Sequence, residues 1–585
     1  MGENIEEKVY EIALKHAVLN AYKHEGKADL KAVVGKVIAE LPSIRNSLKT
    51  LMSIIQKAVE DANKMSAQEQ RAFLEEKYPE LLSEERRKEE EKTLPPLPNA
   101  VEGKVVTRFA PNPDFVIHIG NSRVAILSHE YARMYKGKMI LRFEDTDPRT
   151  KKPMIEAYNL IKEDLRWLGI KWDEEYIQSL RMPIYYEVAK KLIELGGAYV
   201  DTVNIKGAKT DEDEEEQTKA FIPPPTREAD PSVNLELFEK MINGDFGEGE
   251  AVLRVKTRLD LPDKSLVDWV AFRIIDTDVH PHPITGSRYV AWPTYNFAVA
   301  VDDHLLGITH IIRGKEHLSN TYKQKYIYDY FEWTMPETIH VGRLKLEGFI
   351  MSKSVIKKIL MDKPFHYQGP EDPRFGTIAA LRKRGIRPEA IKKIMINVGI
   401  KSTDASISYA NLAAENRKII EPISPRVSFV WSPVRLKIKN LPSCIKATLP
   451  FHPDNPALGS RSYELCENDE VAITMDDYKL FNGKIVRLME TANFLLSKDY
   501  LEFHSHGLEK AKELGAPIIH WVKTAESEEA VLYKPEGDEL ILVKGLLEKK
   551  FIDKIGKHDT FQFLRYGFAK LESISPVATF IYIHE

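Results

Sequence analysis

The stretch Thr107-Arg-Phe-Ala-Pro-Asn-Pro-Asp-Phe-Val-Ile-His-Ile-Gly-Asn121 constrains the fold of this chain more than any other. A β-branched run, Lys104-Val-Val-Thr107, leads into it, and a helical pattern from Val124 follows. The order is strand, proline-rich turn, helix N-terminus. A helix start presents unpaired N–H groups and the positive end of its dipole, a ready site for a phosphate. His118 and Gly120 fall at that start, where a glycine lets a flat ring or a phosphate approach the backbone closely. Much later, Phe349-Ile-Met-Ser-Lys-Ser354 reads as a polar turn whose lysine could clamp phosphates from the other side. Alone, each motif is weak, because a lone His-x-Gly is usually an ordinary turn.

Size and charge bound the rest. At 585 residues the chain should divide into roughly three to five domains, since single cores rarely grow past ~250 residues. With 43% hydrophobic and 29% charged residues it reads as soluble and globular. No run of 18 apolar residues suggests a membrane span, and the first residues lack the pattern of a signal peptide. Cys444 and Cys466 permit one disulfide, but so few cysteines in so long a chain suggest a reducing compartment, the cytoplasm, and no metal-type Cys/His cluster is present. A net charge of −4 does not announce nucleic acid, although a local basic stripe on an acidic protein would still bind it.

Residues 1–92 read as a helical bundle. Asn4 with Glu7 forms a capping-box pattern, and apolar stripes run through Ile5, Val9, Ile12 and Leu19, through Leu30, Val33, Val34, Val37, Ile38 and Leu41 up to Pro42, and through Met52, Ile55 and Val59. The charged run at 84–92 reads as a solvated tether, and 93–103, with Thr93-Leu-Pro-Pro-Leu-Pro-Asn99, as an extended linker. From 104 to 202, strands at 138–143 and 198–202 alternate with helices, one of them ended by Gly169, which argues for a parallel α/β sheet with ligands at the strand C-termini. An insertion at 203–290 carries the acidic run 211–216 and Pro223-Pro-Pro225. The sheet resumes over 291–371. A helical connecting segment, 372–421, contains Arg382-Lys-Arg-Gly-Ile-Arg387, either a phosphate contact or a solvated helix end. Residues 422–585 carry short β-branched strands at close spacing, as in β-barrels.

The two motifs and the text around them resemble the paired signatures of class I aminoacyl-tRNA synthetases. Thr107-Arg-Phe-Ala-Pro-Asn-Pro113, Leu141-Arg-Phe-Glu-Asp-Thr-Asp-Pro148, Trp292-Pro-Thr-Tyr-Asn-Phe297, Gly307-Ile-Thr-His-Ile-Ile-Arg-Gly-Lys-Glu-His317 and Gly342-Arg-Leu-Lys-Leu-Glu-Gly348 follow the order of the glutamyl/glutaminyl branch, in its archaeal and eukaryotic form. The resemblance implies a Rossmann-type catalytic domain split by an acceptor-end-binding insertion, with β-barrels that read the anticodon. It implies ATP-dependent joining of L-glutamate to tRNA(Glu) through a glutamyl-adenylate, with Mg²⁺ accompanying ATP. ATP would be held by Pro111, Asn112, Pro113, His118, Gly120, Asn121, Gly314, Arg343, Leu344, Met351, Ser352 and Lys353, of which His118, Asn121 and Lys353 would act on the phosphates. Arg343 and Leu344 would line the adenine site through backbone contacts. Arg108, Glu144, Tyr295 and Arg313 would meet the amino acid, Glu144 on its ammonium and Arg313 on its side chain. A guanidinium there suits a carboxylate and leaves glutamine poorly paired. tRNA(Gln) as a second acceptor, and a protein partner for residues 1–92, stay open.

Some positions depart from the family pattern. Phe115 stands where relatives usually carry glycine, and its Cβ would reshape the turn or narrow the ATP entrance. Asn121 replaces the last histidine of the first signature, Ile350 the first lysine of the second, and Asn296 stands where aspartate can occur. A glutamine-specific enzyme, a catalytically silent tRNA-binding or scaffold protein, and a shorter-type enzyme that glutamylates a modified base are the competing readings.

Overall fold

The computed structural model describes residues 5–23, 26–41, 44, 48–79, 93–203 and 222–585, in two compact units, Met1–Thr93 and Leu94–Glu585. The expected Asn4 cap, the Pro42 stop, the charged run at 84–92 and the acidic run at 211–216 lie outside the described residues.

The first unit contains α1 (Ile5–Lys23), α2 (Leu30–Glu40), α3 (Leu48–Lys64) and α4 (Ala67–Lys77). The apolar stripes meet in one core of Val9, Ala13, Ala17, Val33, Val37, Ile55, Ala58, Val59 and Leu74. Asp29 caps α2 by accepting from the Ala32 amide at 2.8 Å. The fourth helix carries no stripe that the sequence reading picked out, yet Ser66 and Glu69 cap it reciprocally. That Ser-x-x-Glu spacing was its signal.

The second unit runs β1 (Val106–Phe109), α5 (Ile119–Met134), β2 (Lys138–Phe143), α6 (Ile155–Trp167), β3 (Glu174–Ile177), α7 (Met182–Glu194), β4 (Ala198–Asp201) and α8 (Pro231–Asn243). It continues with β5 (Val252–Val255), β6 (Val270–Ile274), β7 (Ala291–Pro293), α9 (Tyr295–Leu305), β8 (His310–Gly314), α10 (Leu318–Tyr330) and β9 (Glu337–Val341). Strands β1, β2 and β3 are parallel, with Val106 opposite Lys138 and Ile140 opposite Glu174. Thr309 stitches the parallel pair β8–β9 to the free edge of β1, its amide donating to the Val106 carbonyl at 2.9 Å. The three-stranded sheet β3-β2-β1 and the pair β8–β9 beside it, all parallel within themselves and alternating with helices, are the α/β arrangement that the sequence implied. Gly169 adopts φ +75° immediately after the α6 cap, the conformation that ends a helix.

Two expectations need correction. The strand at 198–202 does not join the parallel sheet. Residues 198–201 pair antiparallel with β5, Ala198 opposite Val255, in the four-stranded sheet β4-β5-β6-β7 around Phe238, Phe272, Trp292 and Phe297. A short buried strand has the same apolar pattern in either sheet, so periodicity cannot name its partner. The linker is pinned down as well. Leu94 and Leu97 are buried against Val105, Leu127 and Tyr131, Tyr131 donates to the Pro95 carbonyl at 2.9 Å, and the Leu97 amide donates to Tyr135.

The chain then forms β10 (Leu344–Leu346), α11 (Lys353–Asp362), α12 (Ile378–Arg384), α13 (Pro388–Val398), β11 (Ala405–Ile407) and α14 (Tyr409–Ile420). The basic cluster in this segment is neither a solvated end nor left for phosphate. Arg387 pairs with Asp559 at 2.7 Å, Lys383 with Glu572 at 3.7 Å, and Arg384 is buried over the Tyr409 ring. Two seven-stranded sheets and a hairpin make up the C-terminal part, giving the expected barrel-like β-domains. The hairpin of Ile445–Pro450 with Ser460–Leu465 sets Cys444 opposite Cys466, and the two are joined in a disulfide. This is the one disulfide that the cysteine count permits, although spacing in sequence does not show that a hairpin brings its ends together. No helix among the described residues is long and apolar enough to cross a membrane.

The buried Glu548 carboxylate accepts from Arg461 at 2.7 and 2.9 Å and from the Ser428 amide at 2.6 Å, locking the hairpin to the last sheet. Arg461→Met leaves that buried carboxylate without a counter-charge among the described residues, with only the Ser428 amide and the Tyr463 hydroxyl donating to it. The change should cost ~3–5 kcal/mol in the C-terminal unfolding transition, part of it regained in Arg461→Met/Glu548→Leu. Urea unfolding followed by tryptophan fluorescence checks both changes.

Candidate active site

At the end of β1 the chain turns through the proline-rich segment and starts α5. His118 is the N-cap of that helix. Its Nδ1 accepts from the Gly120 amide at 3.0 Å and from the Asn121 amide at 3.4 Å, while Asn121 Oδ1 accepts from the His118 amide. The expectation that bare amides of Gly120 and Asn121 receive the phosphate therefore changes. Those amides are occupied, and an Nδ1 acceptor leaves the proton of the neutral ring on Nε2, so the imidazole presents the donor. A Cβ on Gly120 would lie 2.9 Å from the His118 ring and 3.2 Å from the Leu344 carbonyl, which explains the glycine.

The second signature turn faces the first. Ser352 is the N-cap of α11 and Lys353 its first residue. Met351 Sδ accepts from the Leu346 amide, and residues 375–378 lie between the two turns, with the Ile119 amide donating to Gly376 and the Gly376 amide to Ile350. Arg123, fully buried in α5, donates to the carbonyls of Gly342, Gly399 and Lys401 at 2.6–3.1 Å and fixes the approach to β10. The Arg343 amide donates to Asp404 at 2.7 Å, so that N–H is already paired.

The other end of the cleft is a chain of buried charge. Arg108 donates to Asp303 Oδ1 at 3.3 Å, Arg142 donates to the same oxygen at 2.7 Å, and Arg142 reaches Glu144 at 3.1 Å. Burial alone would raise the Asp303 carboxyl, but Arg142 and Arg108 outweigh it and hold it below the ordinary range. At Glu144 burial wins over Arg142 and Arg108, so its carboxyl is raised. Arg313 makes no salt bridge to this chain, although Asp303 and Arg108 act on it through their charge. It donates to Gln324 Oε1 at 3.0 Å and Thr321 Oγ1 at 2.6 Å, and among the described residues it has no carboxylate partner. Burial lowers its pKa and also pushes the Tyr295 phenol up to about 12.

One cleft of about 1970 Å³ contains Arg108, Pro111, Asn112, His118, Gly120, Asn121, Glu144, Tyr295, Arg313, Gly314, Arg343, Leu344, Met351, Ser352 and Lys353. Pro113 is the exception. It is buried off the cleft, its carbonyl accepting from the Met154 amide. Phe115 does not line the cleft either. Its ring packs with Val116, Ile356, Tyr367 and Phe375 on backbone outside the left-handed region, so it neither needs glycine nor closes the entrance. Sequence reasoning missed Arg142, Asp303 and His317. Asp302-Asp303 inside an apolar helical run was the available signal for one of them. His317 lines the cleft with its ring 5.3 Å from that of Tyr295.

Burial, with Lys353 nearby, lowers His118 to about 4, and burial, with Arg313 and Arg108, does the same to His317. Both rings are neutral at pH 7. The unfolded chain binds these protons first, so the stability from burying neutral rings is complete above about 6.5 and is lost as pH falls toward about 4. Unfolding midpoints should fall between pH 7 and pH 5, and His317→Gln should flatten that slope. An unchanged slope in the variant would contradict a buried neutral His317.

Residues 104–422 match the family model for tRNA synthetases class I (E and Q), catalytic domain, and residues 424–505 match the anti-codon binding domain of the same family. The chain is 51% identical over 568 residues to the glutamate–tRNA ligase of Hyperthermus butylicus, covering 95% of this chain and 97% of that one. It is 48% identical over 582 residues to the glutamate–tRNA ligase of Aeropyrum pernix, covering 99% and 100%. A solved glutamate tRNA ligase from Elizabethkingia meningosepticum, in complex with its amino acid, aligns at 24% identity and a TM-score of 0.41 over 55% of this chain and 70% of its own. On the two domain matches and the near-full-length identities, the chain belongs to the class I tRNA synthetases of the E and Q group.

Proposed function

We propose that this chain is a glutamate–tRNA ligase, which activates L-glutamate with ATP and transfers it to the 3′ end of tRNA(Glu). The observation that carries the choice of glutamate is Arg313, a buried guanidinium on the cleft whose partners, Gln324 and Thr321, are both neutral. A side-chain carboxylate would complete that pairing, and glutamine would leave it poorly satisfied. The glutamine-specific reading is disfavoured for this reason.

The chemistry follows from the two ends of the cleft. The glutamate α-carboxylate attacks the ATP α-phosphorus; a P–O bond forms, the bond to the β-phosphate breaks, and pyrophosphate leaves. A ribose hydroxyl of tRNA then attacks the acyl carbon, and AMP leaves with the electron pair. Charge builds on the phosphate oxygens, so fixed donors supply the catalysis. The His118 Nε2–H and the Lys353 ammonium are those donors, with Glu144 on the substrate ammonium and Arg108 and Tyr295 beside its carbon chain. Mg²⁺ would enter as the counter-ion of ATP. Among the described residues the cleft contains no cluster of three His, Cys or carboxylate ligands, which suits an ion carried by the phosphates. The acceptor end would lie along the wall of the cleft formed by Lys264, Val267 and Trp269. The glutamate–tRNA ligase relatives, whose work is to charge tRNA for protein synthesis, support a cytoplasmic setting.

The test is ATP–pyrophosphate exchange with glutamate, with and without tRNA. Exchange is expected with tRNA present, and Arg313→Ala should lower it at least ~100-fold, the loss from leaving a substrate carboxylate unpaired. Exchange supported equally by glutamine, or an Arg313→Ala enzyme as active as the parent, would refute the specificity. Binding of tRNA with no exchange would favour the silent tRNA-binding protein.

A further inference from the structure

Asp114 sits between the two signature turns. Its Oδ1 is 2.9 Å from the Lys353 ammonium and its Oδ2 is 3.3 Å from that of Lys357, one turn further along α11. Its side chain is 18% exposed. Burial alone would raise this carboxyl, but Lys353 and then Lys357 outweigh it and hold it below the usual range. Lys353 also acts on His118, as the second cause of its low pKa, so the lysine ammonium stands in the region where the imidazole donor faces phosphate. The apolar cluster beneath, with Phe115 and Ile356 buried and Ile350 packed on it, holds both turns in place. The two positions that depart most from the family pattern, Phe115 and Ile350, thus pack in the same cluster.

We propose that Asp114 is a positioning residue that holds Lys353 in the phosphate site before nucleotide arrives and then competes with the ATP triphosphate for it, with Lys357 retained as its partner after the exchange. This rests on the reading of Lys353 as a phosphate donor. One carboxylate carries one charge, whereas a triphosphate carries several, so the ammonium transfers to the nucleotide. Without a second lysine that transfer would leave a half-buried carboxylate unpaired beside incoming phosphate, an unfavourable arrangement. Lys357 removes that obstacle, and its ammonium already lies 5.6 Å from the Phe115 ring centroid, a contact favourable to a cation.

The experiment measures KM for ATP and kcat separately, in pyrophosphate exchange with glutamate and tRNA, in full-length variants whose folding is checked by thermal unfolding. Asp114→Asn should lower KM for ATP at least threefold, because the competitor is gone. Lys357→Met should raise it at least threefold, because Asp114 then has Lys353 alone, and this rise should vanish in the double variant. Asp114→Glu, which keeps the charge, should stay close to the parent. A fall in kcat with unchanged KM in Asp114→Asn, or a rise in its KM, would overturn the competition. So would an effect of Lys357→Met that persists in the double variant, and this comparison decides the matter if Asp114→Asn alone fails to fold. Lys353→Met separates the two claims. If it leaves exchange intact, the assignment of Lys353 itself fails, whatever Asp114 does.

Discussion

One end of the cleft depends on the position of the Asp303 carboxylate. Two guanidiniums, from β1 and β2, converge on one of its oxygens in a region shielded from water. Without that acid, Arg108 and Arg142 would face each other as like charges at low dielectric, a strongly unfavourable arrangement. Asp303 absorbs part of their charge, Arg142 passes the rest to Glu144, and Arg313 remains with neutral partners. The neighbouring Asp302 points elsewhere in α9 and accepts from Gln178, Arg181 and Tyr185. One helix, through two adjacent acids about 100° apart around its axis, thereby ties the parallel sheet to the segment that leads into the antiparallel one.

Much of the architecture is legible in the sequence where a local rule decides it. The turn before α5, the stop after α6 and the three stripes of the first unit are set by neighbours in the chain, and the structure has them where the residues require. What stays hidden depends on distant partners. Ala198–Asp201 is apolar enough for either sheet, and only β5 decides its place. Arg382, Lys383, Arg384 and Arg387 look like a phosphate-binding cluster until Asp559, Glu572 and the Tyr409 ring are brought beside them. The same holds at the site. Residues inside the signature stretches could be singled out, whereas Arg142, Asp303 and His317 acquire meaning only from what they face across the cleft.

Phe115 and Ile350 show how two departures become intelligible together. Taken singly, one threatens to narrow the ATP entrance and the other removes a positive charge. In space they meet, with Ile350 and Phe375 in an isolated backbone bridge and Phe115 buried against Phe375 and Ile356. Apolar packing joins the two turns, and the remaining charge at Lys353 is paired with an acid of the first turn.

The proline segment at 93–99 gives a practical rule for dividing the gene. Its leucines and carbonyls belong to the catalytic body, with Leu94 and Leu97 in a buried cluster and His310 bonded to the Pro98 carbonyl. A fragment begun at residue 104, where the first strand approaches, would leave Tyr131, Leu127 and Val105 as an uncovered sticky face. A fragment begun at residue 93 keeps its own strap, with Leu94 and Leu97 still covering Val105, Leu127 and Tyr131.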